Sequence, residues 1–175
     1  MDRTGKMVGS MGSPDTNQLA QLALDPAGQR IAVVRTILGN FDVWLVDTSR
    51  GIPARFTFDP AGDRYPLWSP DGRRVVFSSV RSRPLSLYEK SASGAGDEQL
   101  LAADAGLPLS WSPDGRFLLY SRDDANTGTD LWVLPMTGER PSTRSASSGS
   151  TVSLAEPSTS SGRRQVLEGR AHARS

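Results

Sequence analysis

Short apolar runs, each only four to seven residues long, recur along the chain and are cut apart by turn residues. Ile31-Ala32-Val33-Val34 is β-branched and is followed by Gly39-Asn40, a pair suited to a two-residue hairpin turn, and by a returning run from Phe41 to Val46. Within that return Asp42, Trp44 and Val46 alternate with Val43, Leu45 and Asp47, so the two faces of the strand both receive large apolar groups. The same grammar returns in Arg73 to Ser79 with Leu85 to Lys90, and in Phe117 to Ser121 with Asp130 to Leu134. Strands this short, apolar on both faces, belong to sheets covered on both sides.

The runs keep a beat. Trp68-Ser69-Pro70-Asp71-Gly72 recurs as Trp111-Ser112-Pro113-Asp114-Gly115, with a worn copy at Leu24-Asp25-Pro26-Ala27-Gly28; the prolines are 44 and 43 residues apart. A second landmark, the aromatic of the returning strand, falls at Trp44, Tyr88 and Trp132, 44 residues apart both times. Proline presets the first turn position, serine suits the residue before it, and glycine closes the turn. A repeat of this length built from short strands is the signature of β-propeller blades. The expected fold is all-β: an incomplete propeller of about three four-stranded antiparallel blades.

The strand alignment Ile31/Val75/Leu118, Ala32/Val76/Leu119 and Val33/Phe77/Tyr120 predicts the core. Strand D of the first blade is expected at Arg55 to Phe58, with Asp59 to Gly62 looping into the next blade. The second blade is expected as Pro66 to Ser69, Arg73 to Ser79, Leu85 to Lys90 and Glu98 to Leu101. The third begins at Leu107, with a loop from Arg122 to Thr129. The domain reading is a partial blade or leader at 1–19, blades at 20–140 and a tail at 141–175. In the leader, Asp2 to Lys6 falls one period before Asp47 to Gly51. The tail holds ten serines, three threonines and no aromatic residue, which predicts disorder, with a frayed helix at Gln165 to Arg174.

Composition narrows the chemistry. Net charge is +1, made of about −2 over residues 1–140 and +3 beyond, which gives no prior for nucleic acid. There is no cysteine, so disulfides and thiol chemistry are excluded. Met1 to Asp15 shows no apolar segment of a signal peptide, and no apolar run approaches a membrane span.

At its Trp-Ser-Pro-Asp-Gly repeats the chain resembles the TolB-like propeller family, with WD40-like repeats similar to those in the gating propellers of prolyl oligopeptidase-type peptidases. Asp42 to Asp47, Arg55 to Pro60 and Asp130 to Pro135 resemble propellers appended to bacterial serine/threonine kinases and some transcriptional regulators. No kinase motif accompanies them. The resemblance implies a ring of about six blades, a protein partner and, by the Tol analogy, the periplasm; the N-terminal residues taken at face value read as cytoplasmic.

No catalytic residue, cofactor or metal is assigned. His172, the single histidine, lies in the tail, and no Gly-x-Ser-x-Gly element occurs. Asp123, Asp124 and Asp130 offer oxygen ligands without EF-hand spacing. Binding is the expectation that remains. In an antiparallel meander the D–A and B–C loops share one face, which would gather Arg64, Tyr65, Arg81 and Arg83, with Asp123 and Asp124 on the next blade. Such an Arg/Tyr cluster suits a protein or peptide; a solvated rim is the plainer alternative. The four tryptophans recur at blade positions and are expected to pack between blades rather than cage a ligand. Open blade flanks would also permit self-association. Two functions follow: a non-catalytic interaction or sensing module, or the accessory propeller of a peptidase whose catalytic domain lies elsewhere.

Overall fold

Three turns set the frame of the molecule. In each, the glycine N–H donates to the carbonyl three residues back: Gly28 to Asp25, Gly72 to Ser69 and Gly115 to Ser112, each at 2.9 Å. These glycines lie at φ of 70°, 66° and 71°, a left-handed conformation that explains why the last turn residue is glycine. The Ser69 and Ser112 hydroxyls accept from Arg74 N (3.0 Å) and Phe117 N (2.9 Å), locking the start of the following strand. In the worn copy Asp25 Oδ1 does the same work, accepting from Gln29 N and Arg30 N. The Ser112 hydroxyl, then the Arg116 N–H and guanidinium, hold the Asp114 carboxyl down at about 2.

The computed structural model describes Thr4 and residues 17–137. The expected partial blade before residue 17, apart from Thr4, and the tail at 141–175 with its helix and His172 lie outside the described residues. Strands β1 (Gln18–Leu24), β2 (Arg30–Ile37), β3 (Asn40–Asp47) and β4 (Pro53–Arg55) form one antiparallel sheet in that order. Strands β5 (Asp63–Trp68), β6 (Arg74–Ser79), β7 (Ser86–Ser91) and β8 (Gln99–Ala102) form the second. Strands β9 (Pro108–Trp111), β10 (Phe117–Asp124) and β11 (Gly128–Pro135) form a third, three-stranded among the described residues. The architecture is the expected all-β set of propeller blades. The first strands lie innermost, β1 beside β5 and β5 beside β9.

Period-2 alternation distributes side chains between blades. On β6, Val75 and Phe77 join Ala32, Val43, Phe56, Trp68 and Ala92 in a core between blades one and two. Val76, between them in sequence, faces the other way and packs with Leu87, Leu101, Ala102, Leu118 and Tyr120 between blades two and three. Of the nine expected core positions, Ile31 and Leu119 are half-buried and the other seven are buried.

Local boundaries differ from expectation for identifiable reasons. The first hairpin turns at Leu38-Gly39, since Ile37 pairs with Asn40. Both turn residues have positive φ, 52° and 83°, as a type I′ turn requires. Strand D of blade one is Pro53–Arg55, and Phe56 and Thr57 are buried beyond it. Arg64 and Tyr65 are on β5 rather than in the loop, because β5 starts at Asp63 and pairs with Ser79 and Ser78 before a bulge. Asp123 and Asp124 are the end of β10, paired with Thr129 and Gly128, so that loop shrinks to Ala125-Asn126-Thr127.

Leu38 is fully exposed and gains no burial to offset its left-handed backbone. Leu38→Asn is expected to stabilise the fold by about 1 kcal/mol. A higher urea midpoint at unchanged slope would show it, and an unchanged midpoint would count against a strained turn.

Candidate functional site

The bulge in β5 positions the first part of the loop-face site. Tyr65 adopts φ 55°, and Gln21, one repeat earlier on β1, adopts φ 49°. The Tyr65 N–H donates to Gln21 Oε1 at 3.0 Å, so successive innermost strands are stitched at their bulges. The bulge directs the Arg64 guanidinium onto Phe41 of the neighbouring blade, with Cζ 3.5 Å from the ring centroid. Gly62 completes this patch: a methyl there would lie 3.6 Å from Phe41 Cβ and 3.7 Å from Val80 Cγ2. Arg64 Nε is buried without a hydrogen-bond partner. Phe41, Gly62, Arg64 and Val80 thus form a cation-aromatic patch, and Arg83 stands exposed in the adjoining 80–85 loop.

Arg81 is placed differently from Arg83. Its side chain runs inward over Tyr88, 4.4 Å from the ring centroid, and pairs with Asp59 at 3.2 Å, Asp63 at 3.0 Å and Glu98. Asp63 is 0% exposed. Burial pushes its carboxyl up to about 6, against the opposing pull of the Ser79 hydroxyl, the Arg81 charge and the Thr57 hydroxyl. Lys90, also buried, bonds the Phe56 carbonyl at 2.9 Å and approaches Glu98 at 3.6 Å. This five-member ion cluster joins blades one and two. Sequence reasoning did not find it, because its members come from three loops and two strands.

Asp123 and Asp124 serve their own hairpin. Asp123 accepts from Thr129 Oγ1 at 2.8 Å, and Asp124 accepts from the N–H groups of Asn126 and Thr127, which lower its pKa. Asp130 accepts from Thr127 Oγ1. Among the described residues no three acidic or histidine side chains converge as a metal ion would require. No helix among them is long and apolar enough to cross a membrane. At the opposite end of blade two, Arg73, Arg74, Glu89, Ser91, Asp97 and Gln99 line an open cleft of about 370 Å³.

No protein-family model matches the chain. Over 105 residues it is 32% identical to the uncharacterized peptidase YuxL of Bacillus subtilis, covering 55% of this chain and 16% of that protein. Over 109 residues it is 30% identical to the Tol-Pal system protein TolB of Anaeromyxobacter dehalogenans, covering 62% of this chain and 25% of that one. Its backbone matches the crystal structure of TolB from Acinetobacter baumannii with a TM-score of 0.57 at 18% identity, over 69% of this chain and 30% of that one. The chain therefore spans a quarter or less of the length of these two curated relatives. Repeat, blade topology and these relatives together make the described residues β-propeller blades similar to those of TolB.

Proposed function

We propose that this propeller module is non-catalytic and docks a protein or peptide on its loop face, around Phe41, Arg64, Tyr65, Val80 and Arg83. The observation that carries the reading is the Arg64 guanidinium held with its Cζ 3.5 Å from the Phe41 ring centroid, beside the exposed Arg83. A planar donor group held on an aromatic face is ready to meet a carboxylate or a backbone carbonyl. A relative that is a Tol-Pal system protein supports a protein partner of some kind. Asp123 and Asp124 would form the far edge of the same face, one blade on.

The match to a peptidase favours one second reading, an accessory gating propeller whose catalytic domain is a separate unit. Under that reading the loop face borders a passage and retains no peptide. Panning a phage-displayed random peptide library against the chain separates the two. The docking reading expects enriched peptides carrying acidic residues, and a loss of affinity of about tenfold or more on Arg64→Ala or Phe41→Ala. Absence of enrichment, or enriched peptides indifferent to both substitutions, would overturn it.

A further inference from the structure

The open cleft of blade two, at the end away from the loop face, lies where blade two departs from the repeat of blade one. In blade one the Thr48 N–H donates to the Gln29 carbonyl at 2.9 Å, and its hydroxyl donates to the Gly28 and Gln29 carbonyls, both at 3.0 Å. The β3–β4 connection is thereby tied to the turn before β2. One repeat on, Ala92 keeps the backbone bond, to the Arg73 carbonyl at 2.8 Å, but has no hydroxyl for the second tie. The connection is also longer, 92–98 against 48–52. Beside it the cleft holds about 370 Å³, within the roughly 300–1,000 Å³ usual for sites of small ligands.

The charges that line the cleft are of two kinds. Glu89 and Lys90, at the end of β7, are each 6% exposed and already engaged. Glu89 pairs with Arg74 at 3.1 Å, and Lys90 bonds the Phe56 carbonyl at 2.9 Å and approaches Glu98 at 3.6 Å. Arg73 and Asp97 are exposed, and neither side chain has a hydrogen bond or ion pair among the described residues. Arg73 precedes β6 and Asp97 precedes β8, and the sheet order β6-β7-β8 sets them on the two sides of the end of β7. One free cation and one free anion thus flank a floor of buried, mutually neutralised charge. The lining includes no aromatic side chain and one apolar side chain, Ala95, so an apolar ligand would gain little there.

We infer that the cleft binds a small zwitterion, a free amino acid or short peptide, with its carboxylate on the Arg73 guanidinium and its ammonium on the Asp97 carboxylate. The guanidinium offers a planar fork that a carboxylate meets with two parallel hydrogen bonds. A dianion would set one of its charges against Asp97 and a dication one against Arg73, so a ligand with one charge of each sign is the complementary one. Blade one has no such site, since Gln29 stands at the Arg73 position and Thr48 ties the connection down. The inference is independent of the peptide-docking reading, which concerns the loop face at the other end of the blades.

The test is an amide chemical-shift titration of the isotope-labelled full chain with diglycine, set against succinate as dianion and putrescine as dication. Diglycine is expected to give saturable shifts at Arg73, Ser91, Ala95 and Asp97, with a Kd of about 1 mM or tighter. Succinate and putrescine are each expected to bind at least about tenfold more weakly. Arg73→Gln and Asp97→Asn change exposed side chains, and circular dichroism checks that both variants keep the fold. Each is expected to weaken diglycine at least about tenfold. No saturable shift with diglycine overturns the inference, as does binding that both variants retain. Succinate binding as tightly as diglycine, with Asp97→Asn without effect, identifies a plain anion site and overturns it too.

Discussion

Arg81→Ala is expected to lower the unfolding free energy by about 3–5 kcal/mol near pH 8, and by clearly less near pH 5. Arg81 is the one cation that touches Asp59, Asp63 and Glu98 together. Removing it leaves Asp63 ionised at 0% exposure with only hydroxyls for company. An uncompensated buried charge costs more than the intact pair contributes. The sign of the pH effect follows from the raised Asp63 value of about 6. A carboxyl that holds its proton more tightly folded than unfolded adds stability fully below its unfolded pKa of 3.8, and that stability is lost as pH rises through about 6. Without Arg81 the carboxyl moves further up, so acid rescues the variant by protonating Asp63. Chemical unfolding at the two pH values checks this. Arg81→Lys is expected in between, since it keeps the charge but not the planar fork that reaches three carboxylates. In an Asp63→Asn background the Arg81→Ala loss should shrink, because the two side chains act on one another. Equal losses at both pH values, unchanged by Asp63→Asn, would mean that Arg81 acts only through its packing on Tyr88.

The difference between Arg81 and Arg83 shows where the sequence is readable and where it is not. Both sit in one loop and look alike as letters, yet one spans a buried cluster and the other is exposed. Periodicity detects apolar positions, so Val75, Val76 and Phe77 were legible as core from their alternation and from two landmarks at one repeat length. A buried acid has no such signature. Asp63 opens β5 with a polar Asp-Arg-Tyr run that reads as loop, and only pairing with Ser79 and Ser78 makes it strand. The bulge that aims Arg64 at Phe41 is likewise tertiary, since its partner lies on the neighbouring blade. At Leu38-Gly39 local chemistry misled in the opposite way. Leucine is a poor turn residue, so the turn reads one position late, as Gly39-Asn40, although register with β3 places it at Leu38. The polar end of the β10–β11 hairpin is the same lesson: Asp123 and Asp124 extend strands that nothing covers.

Trp68→Ala is expected to cost about 3–5 kcal/mol, whereas Trp132→Ala costs about 1 kcal/mol or less. Both tryptophans recur at blade landmarks and both were expected to pack between blades. Their surroundings separate them. Trp68 is 5% exposed, lies in the core between blades one and two, and donates its indole N–H to the Ala23 carbonyl at 3.0 Å. Arg30 closes over its other side, anchored in turn on the Ala92 carbonyl at 2.6 Å. Truncation opens a cavity, orphans the Ala23 carbonyl and strips Arg30 of its aromatic face, three losses at one junction. Trp132 is 38% exposed on β11 and has Arg122 5.3 Å from its ring centroid. Solvent can enter there without leaving a void. Guanidinium unfolding followed by circular dichroism measures both variants. Trp68→Phe refines the account, since it keeps most of the ring but not the N–H, and is expected to lose about 1–3 kcal/mol. Similar losses for Trp68→Ala and Trp132→Ala would show that repeat position, rather than the neighbour that covers it, sets the contribution of a blade tryptophan. Unequal losses in the expected order would mean that each blade is stabilised chiefly by the blade beside it, as a repeat held together by nearest-neighbour contacts requires.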